Sequence, residues 1–496
     1  MADMKRLAKE TAIYGMSSIV GRFLNWGLSP FYTYVLGTPA DFGMVGELYA
    51  WTAILLVLLT YGMETGFFRY ANKSDVQPQV AYTSIMSILL LTSSLFVLIL
   101  SLFLPSIAGF LGYAEHKEFV WMMGAIVALD AFTALPFAWL RFEKRPLKFA
   151  YLKLGMIFVN IFFNLFFLWI CPKIYSQNPQ WIDWFYRPDF GVGYVFVANG
   201  LSSVAVLLAL LPQIIQKVWK IDFRLIKSVL HYSIPLMWLG LAGIMNQSLD
   251  KVLLKHLYGS AEAGMHQLGI YTACFKIGVV MMMFTQAFRY AYEPFVFSKQ
   301  KEVDHTKTYA QAMHFYVIFS VFVFLGVMYY LDLLQYLIRA DYREGLIIVP
   351  VVLLCYIFQG ITFNLSFWYK LTDRTQWGAY ISILGLVVTV LGNLIFVPMY
   401  GYIASAWTSF LCFLGMMLVS WWLGRTYYPI PYNLILLGRY VLVGALLYMA
   451  GMWMPIDSVV LRMLYRSFLL LLFLLYVWRR EFPDLKWKRS TGSVHL

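Results

Sequence analysis

Charged residues are scarce in this sequence. Asp, Glu, Lys and Arg make up only 13% of its 496 residues, whereas 61% are hydrophobic. Soluble domains carry about 25% charged residues, so the composition excludes a soluble globular protein and indicates a polytopic membrane protein. We expect no cleavable signal peptide, because the N-terminal sequence MADMKRLAKE runs into an apolar segment longer than a signal core.

Cysteine and histidine are also few, and several catalytic motifs are missing. The four cysteines lie within or at the ends of apolar segments and are Cys171, Cys274, Cys355 and Cys412. Without a CxxC or metal spacing, they are expected to pack as small hydrophobic residues. The sequence has no Walker A motif, glycine-rich phosphate loop or nucleophile elbow. We therefore expect no ATP-driven pump, no enzyme and no cofactor, beyond H⁺ or Na⁺ as a coupling ion.

Apolar runs of about 20 residues, long enough to cross a bilayer as a helix, recur along the whole chain. We predict fourteen membrane-spanning helices, at residues 11–36, 44–68, 80–105, 119–141, 149–171, 191–215, 228–257, 264–295, 309–334, 346–369, 376–398, 402–424, 434–454 and 460–478. One set of alternate loops and ends holds about three times as many Lys and Arg residues as the other, which places both termini in the cytoplasm. This sidedness accounts for the net charge of +13 without a nucleic-acid partner.

The two halves of the chain resemble each other weakly. KETAIYGMSSIVGRFL and LGTPADFGMVGELY near the start have counterparts about 220 residues later, in KSVLHYSIPLMWLGLA and YGSAEAGMHQLGIY. We therefore predict an N-lobe at 1–217, a C-lobe at 218–428, and a final helix pair with a basic cytoplasmic tail at 429–496. Paired halves suit a carrier whose lobes rock about a central site.

Four stretches carry a family resemblance, and they are Gly21–Gly43, Leu135–Phe149, Leu249–Gly278 and Leu391–Phe410. In this order they resemble the multidrug/oligosaccharidyl-lipid/polysaccharide exporter superfamily, in particular the Wzx-type flippases of O-antigen and capsule repeat units. The resemblance implies alternating access and an undecaprenyl-pyrophosphate-linked oligosaccharide, moved to the periplasmic leaflet of a bacterial inner membrane for lipopolysaccharide or capsule synthesis. It implies membrane lipids and polysaccharide polymerase or chain-length machinery as partners. A lipid II flippase and an H⁺- or Na⁺-coupled drug antiporter of the same superfamily stay open.

Arg22 lies near the middle of the first predicted span. A guanidinium keeps its charge in proteins, and an arginine at mid-membrane costs at least about 2.5–3.5 kcal/mol on insertion scales. Ser18, Asn25 and Ser29 fall at i−4, i+3 and i+7 and share its helix face. This polar stripe is expected to face a water-filled cavity. The alternative is an ion pair between Arg22 and an acid on another helix.

Two further cations, Lys276 and Arg289, lie in the eighth predicted span. Lys276 is near its middle, whereas Arg289 is close enough to the cytoplasmic end to reach the interface. If Arg22 and Lys276 both face the gap between the lobes, they would hold a pyrophosphate group from two sides. We predict a substrate-binding set of Arg22, Lys276, Arg289, Asn25 and Ser18, with an internal salt bridge as the alternative for Lys276.

Polar residues of the spans are candidates for ion coupling, and they are Asp130, Glu64, Asp250 and Asn246. For Asp130, a protonated acid, an ion pair with Arg22 or Lys276, and a proton-coupling role all stay open. Glu64 could interact only loosely with Arg69, five residues on. Asp250 and Asn246 could offer oxygens to Na⁺, although they fall short of a full coordination set. For Glu47 and Asp250, near span ends, access to water or a capping role is the alternative.

Overall fold

The computed structural model describes residues 2–215, 220–299, 305–372 and 374–481, and within these ranges the chain is helical without a β-strand. Side chains of residues 2–14, 16–18, 291, 293–295, 297–299 and 305 are not described. The first nine α-helices are α1 Ala2–Val35, α2 Pro39–Thr60, α3 Met63–Ala71, α4 Pro78–Leu102, α5 Leu104–Phe110, α6 Lys117–Phe142, α7 Pro146–Leu165, α8 Cys171–Gln177 and α9 Gly193–Ile215.

The second part of the chain continues the helical pattern. Its α-helices are α10 Phe223–Leu257, α11 Ala261–Lys299, α12 His305–Tyr329, α13 Leu331–Leu334, α14 Val349–Leu365, α15 Phe367–Leu371, α16 Gln376–Tyr400, α17 Tyr402–Tyr427, α18 Leu434–Trp453 and α19 Val459–Glu481. A π turn spans Phe166–Ile170, and 3-10 turns span Pro179–Trp181, Pro188–Phe190, Gln335–Leu337 and Ala340–Ile348.

Thirteen helical segments of the described residues are long and apolar enough to cross a membrane. Each of them overlaps one of the thirteen spans predicted after the first, and α1 covers the first predicted span. The prediction of an all-α polytopic membrane protein is therefore confirmed. The cytoplasmic placement of both termini stays a prediction.

The turn between α1 and α2 shows how local sequence sets a helix boundary. The Asp41 backbone N–H donates to Thr38 Oγ1 (3.3 Å), and the Thr38 N–H donates in return to Asp41 Oδ2 (2.8 Å). This capping box satisfies N–H groups that the first turn of a helix leaves free. Pro39 then occupies the first helical position, where its missing N–H costs nothing. We call the end of the bundle at which α1 ends and α2 begins the α1–α2 end.

The chain forms two compact units. Unit 1 contains residues 1–290 and 338–424, and unit 2 contains residues 291–337 and 425–496. Within unit 2, Leu325 and Tyr329 of α12 pack with Leu469 and Phe473 of α19. Asp332 accepts from Arg462 and Arg466 of α19, both at 2.8 Å. The lobe boundaries predicted at residues 217 and 428 stay a prediction.

Helix α10 packs against several helices of unit 1 and carries polar residues of the candidate site. Leu225 and Val229, near its start, are buried in a core with Phe67 of α3, Tyr82 of α4 and Trp139 of α6. Its later turns pack against α2 and α16. All four cysteines are buried and unpaired, as predicted.

Candidate functional site

A cavity of about 150 Å³ lies within unit 1 among α1, α2, α10 and α11. Its charged lining residues are Lys251 of α10 and Lys276 of α11. Hydroxyl groups on its wall come from Ser29, Tyr32, Tyr49, Ser248 and Thr272. No acid is among the described residues that line it. Two ammonium groups and several hydroxyl donors suit an anion that accepts hydrogen bonds.

Lys276 is anchored through its backbone, and its side chain lines the cavity. The indole Nε1 of Trp26 donates to the Lys276 carbonyl oxygen at 2.7 Å, which joins α1 to α11 at this depth. Among the residues that the structure describes, no carboxylate forms an ion pair with Lys276. The salt bridge considered as an alternative is therefore not formed with any described acid.

Lys251 is a cavity residue that the sequence analysis missed. Its Nζ donates to the Gln247 carbonyl at 2.9 Å and to Asp250 Oδ1 at 3.4 Å, and it lies 4.6 Å from the centroid of the Phe275 ring. The predicted span 228–257 contained Lys251 without marking it as a candidate, and α10 places its side chain inside the bundle, where it is 15% exposed. The available signal was Ser248, three residues earlier on the same helix face.

Arg22 lies on the side of α1 that faces α11 but outside the cavity wall. Gly15, Arg22, Trp26 and Ser29 fall within about 60° of one another around an ideal helix. A Cβ at Gly15 would lie 3.7 Å from Tyr290 of α11, Trp26 bonds to α11, and Ser29 lines the cavity. The exposed Arg22 is therefore about 10 Å along this face from Ser29, away from the α1–α2 end.

The other predicted binding residues are less close to the cavity. Asn25 is exposed on α1, and the side chain of Ser18 lies outside the described ones. Arg289 is about 20 Å along α11 from Lys276, with its guanidinium 4.7 Å from the centroid of the Phe363 ring. Of the four predicted residues whose side chains the structure describes, it brings only Lys276 to the cavity wall. Their roles in substrate binding stay predictions.

Asp130 and Glu64 lie in other polar contacts. Ser203 of α9 donates to Asp130 Oδ1 at 2.8 Å. Within the described ranges Asp130 forms no ion pair with Arg22 or Lys276. The predicted alternative of such an ion pair is therefore wrong. Glu64 pairs with Arg141 of α6 at 2.5 Å, rather than with the nearby Arg69. The ion-coupling roles of Asp130 and Glu64 stay predictions.

Asp250 and Asn246 are buried one turn apart on α10. Asp250 is 1% exposed, so the alternative of access to water is wrong, and its Oδ2 accepts from the Tyr271 hydroxyl at 2.5 Å. Asn246 is 3% exposed and donates from Nδ2 to the Ser382 carbonyl of α16 at 3.0 Å. Its Oδ1 is buried without a hydrogen-bond partner among the described residues. Their role as a Na⁺ site stays a prediction.

A buried ion pair joins α2 to α10 near the α1–α2 end. Lys255 Nζ donates to Glu47 Oε2 at 2.7 Å and to the Leu111 carbonyl at 2.5 Å, while the Tyr113 hydroxyl donates to Glu47 Oε2 at 2.6 Å. The side chains of Glu47 and Lys255 are 0% and 2% exposed. The alternative of a solvated Glu47 is therefore wrong. We call Glu47, Lys255, Tyr113 and the Leu111 carbonyl the outer latch.

Side-chain bonds and backbone packing also close the α1–α2 end. Arg339 donates to the carbonyls of Leu36 and Gly37, at 3.0 and 2.9 Å, where α1 ends. Helices α2 and α11 approach so closely that a Cβ at Gly43 would lie 2.3 Å from the Met265 carbonyl oxygen. A Cβ at Gly269 would lie 1.8 Å from the Pro39 carbonyl oxygen. Only glycine fits these positions, so backbone contact seals this end of the cavity.

A bulky residue in this seam should hold the α1–α2 end open. We expect Gly269→Leu to increase labelling of a Ser29→Cys cavity probe by a membrane-impermeant maleimide at least about tenfold. The measurement uses membrane vesicles of both orientations. Gly243→Leu on α10 is the matched control, because a Cβ there meets nothing within 4 Å. Equal labelling in the two variants would contradict the closure described above.

The fold is that of known membrane transporters. The structure of the lipid II flippase MurJ in an inward closed conformation superposes with a TM-score of 0.73 at 12% sequence identity, covering 94% of this chain and 98% of that chain. An inward-facing multidrug resistance MATE transporter of the MOP superfamily gives a TM-score of 0.65 at 14% identity, covering 82% and 94%. An outward-facing multidrug resistance MATE transporter of the MOP superfamily gives a TM-score of 0.59 at 14% identity, covering 84% of this chain and 95% of that chain.

Fold and sequence together define the class of this protein. It is a multi-pass membrane protein, and it shares its fold with a transporter of the multidrug/oligosaccharidyl-lipid/polysaccharide superfamily that the sequence resembles. The family model described as polysaccharide biosynthesis protein matches residues 7–294, more than half of the chain, and the chain belongs to that family. A search of curated proteins gives no match to this sequence. The family description names polysaccharide biosynthesis, and the solved structures above share the fold of this chain.

Proposed function

We propose that this protein is an alternating-access flippase for oligosaccharides linked to undecaprenyl pyrophosphate, such as O-antigen or capsule repeat units. The cavity lined by Lys251 and Lys276 carries the proposal, because its described lining holds two ammonium groups and no acid. Lys251 also pairs with the buried Asp250 at 3.4 Å, so Lys276 is the lining cation that has no ion pair with a described acid and would complement a negatively charged group. A cationic drug would meet repulsion at the same place. The hydroxyls of Ser29, Ser248 and Thr272 would satisfy further phosphate oxygens.

The arrangement along α1 suggests how the substrate enters. In this proposal the α1–α2 end lies on the periplasmic side, which the charge sidedness of the loops supports. The outer latch would then close the bundle on that side. Arg22 lies on the same face of α1, about 10 Å towards the cytoplasm. It would attract the pyrophosphate from the inner leaflet, and Lys276 and Lys251 would then bind it. Separation of α2 from α10 and α11 would release it outward.

The remaining roles belong to this proposal as well. Asp130, beside Ser203, would carry a coupling proton, whereas Asp250 and Asn246 would contribute to a Na⁺ site. Transport at the bacterial inner membrane would supply a polysaccharide polymerase on the periplasmic side. Arg289 would contact the substrate only near the cytoplasmic end of α11, given its distance from Lys276.

Reconstitution tests the substrate class. Proteoliposomes containing the protein and an undecaprenyl-pyrophosphate-linked glycan should expose the glycan to an external glycosidase faster than protein-free liposomes, by at least about tenfold. An undecaprenyl-monophosphate-linked sugar, with less negative charge, should move more slowly. Uptake of a cationic dye with no movement of the pyrophosphate lipid would refute the proposal and favour a drug antiporter.

A lipid II flippase is the second candidate, favoured by the match to MurJ over nearly the whole length of both chains. The cavity would bind the pyrophosphate of either lipid by the same contacts. Competition in the same liposomes distinguishes them. The movement of a labelled oligosaccharide lipid is measured with either unlabelled lipid II or the unlabelled oligosaccharide lipid as competitor. If unlabelled lipid II is the stronger competitor, the lipid II flippase is the better candidate.

A further inference from the structure

Unit 1 contains a second, larger cavity, separate from the cationic one. Its volume is about 590 Å³ and it is bounded by α2, α4, α5 and α6. Trp51, Phe96, Leu100, Phe103 and Met123 are typical of its wall, and the Ser106 hydroxyl is the one aliphatic polar group among the described lining residues. The volume lies within the range of about 300–1,000 Å³ that is usual for small-molecule sites. The mostly apolar side chains of its wall suit a hydrocarbon ligand.

The mouth of this cavity continues the lipid-facing surface of α4. Leu91, Leu95, Leu98 and Leu102 follow one another at helical spacing and are 49–68% exposed. The lining residues Ile99, Phe103 and Phe110 lie at the end of this stripe and are 45%, 57% and 82% exposed. In a chain whose α4 is long and apolar enough to span a membrane, such a surface contacts the bilayer interior. The cavity therefore opens sideways into lipid.

An aromatic residue beside the cavity mouth indicates how deep in the bilayer the mouth lies. Trp121 of α6 is 41% exposed, and its indole Nε1 donates to the Ser101 hydroxyl of α4 at 3.0 Å. Tryptophan is enriched where lipid headgroups meet the chains. The exposed polar residues Glu115, Lys117 and Glu118 lie just before it, at and before the start of α6. A lipid with its headgroup at these residues would reach the cavity with the upper part of its chain.

We propose that this cavity binds one acyl chain of a bilayer phospholipid. Water is a poor occupant, because it needs two to four polar partners and the described lining offers only the Ser106 hydroxyl and the Trp51 indole N–H. A polar ligand would likewise lose most of its hydrogen bonds. The hydrocarbon in large excess beside an open lateral site is the bilayer phospholipid, so mass action favours it over a scarce carrier lipid.

Occupancy of this site is coupled to the outer latch. The Leu111 side chain lines the apolar cavity, and its carbonyl accepts from Lys255 at 2.5 Å. An acyl chain packed against Leu111 and the short helix α5 holds that carbonyl in place. Bound phospholipid therefore stabilises the closed α1–α2 end. This consequence does not depend on the transported substrate.

Photocrosslinking tests the site in the full-length protein. The protein is reconstituted in vesicles of phosphatidylethanolamine and phosphatidylglycerol with a trace of phospholipid carrying a diazirine on one acyl chain. We expect crosslinks concentrated in residues 96–124 and reduced at least about fivefold by Ser106→Trp, which fills the mouth. Leu98→Trp is the matched control, because Leu98 is exposed on α4 but does not line the cavity. Ile99→Trp narrows the same mouth and replaces Ser106→Trp if that variant does not fold.

Two results would overturn the proposal. Crosslinking that spreads evenly along α4, or that Ser106→Trp and Leu98→Trp reduce equally, would mean that the cavity has no ordered chain. Displacement of the label by a small amount of undecaprenyl phosphate would assign the site to a prenyl chain instead. Support requires that undecaprenyl phosphate compete no better than unlabelled phospholipid.

Discussion

Replacing Lys276 with methionine should nearly abolish export of surface polysaccharide while leaving the amount of protein unchanged. Methionine keeps most of the side-chain volume but removes the ammonium, so Lys251 alone would face the pyrophosphate. Loss of one partner of a buried, hydrogen-bonded charge pair costs about 2–5 kcal/mol. At about 1.4 kcal/mol for each factor of ten, the transport rate should fall at least about 25-fold. Surface glycan on intact cells, measured by lectin binding, gives the readout.

Lys227→Met provides the matched control for this change. Lys227 is an exposed lysine of α10, near the opposite end of the helix from Lys251. Its replacement should leave export within about twofold of the original protein. We expect Arg22→Ala to lower export as well, through slower capture of the substrate. Normal export by both Lys276→Met and Arg22→Ala would disprove the pyrophosphate-binding role of these residues.

The membrane-spanning helices could be predicted closely because hydropathy over about 20 residues reports the cost of membrane insertion directly. The predicted span 191–215 corresponds to α9 at Gly193–Ile215, and the span 376–398 to α16 at Gln376–Tyr400. The prediction fails where polar residues remain helical beyond the apolar run. One span predicted to end at residue 171 continues through α8 to Gln177.

The candidate site was only partly predictable. The position of a charged residue within an apolar run shows that the residue is unusual, but it does not show which residues of other helices surround it. Lys276 stands out as a cation in the middle of an apolar run, and it does line the cavity. Glu64 was compared with Arg69, its neighbour in sequence, although its partner Arg141 is on another helix. Lys251 was overlooked because proximity to a predicted helix end resembles a loop position.

The outer latch depends on contacts between distant parts of the chain. Glu47 and Lys255 are 208 residues apart in sequence, and each lies near the end of a predicted span. At such positions a charged residue is commonly solvated, and no local pattern indicates otherwise. Only the packing of α2 against α10 removes both groups from water. The energetic effect of this ion pair therefore depends on its burial rather than on its charge alone.

Lys255→Met should destabilise the protein by about 3–5 kcal/mol, the usual cost of breaking a buried ion pair from one side. Glu47 would keep its charge, with only the Tyr113 hydroxyl donating to Oε2 and Oε1 already without a partner among the described residues. His256 Nε2, 3.7 Å from Oε1, is too distant for a good hydrogen bond. Denaturant unfolding in detergent micelles, followed by tryptophan fluorescence, measures the change.

The double variant Glu47→Leu/Lys255→Met should recover most of this stability, because neither charge is then buried alone. Arg145→Met is the matched control, since Arg145 pairs with Glu143 at 3.1 Å but is 57% exposed, and its loss should cost less than about 1 kcal/mol. The recovered double variant lacks the charged link between α2 and α10, so its Ser29→Cys probe should be labelled faster from the α1–α2 end. A double variant less stable than Lys255→Met would show that Glu47 stabilises the fold independently of Lys255.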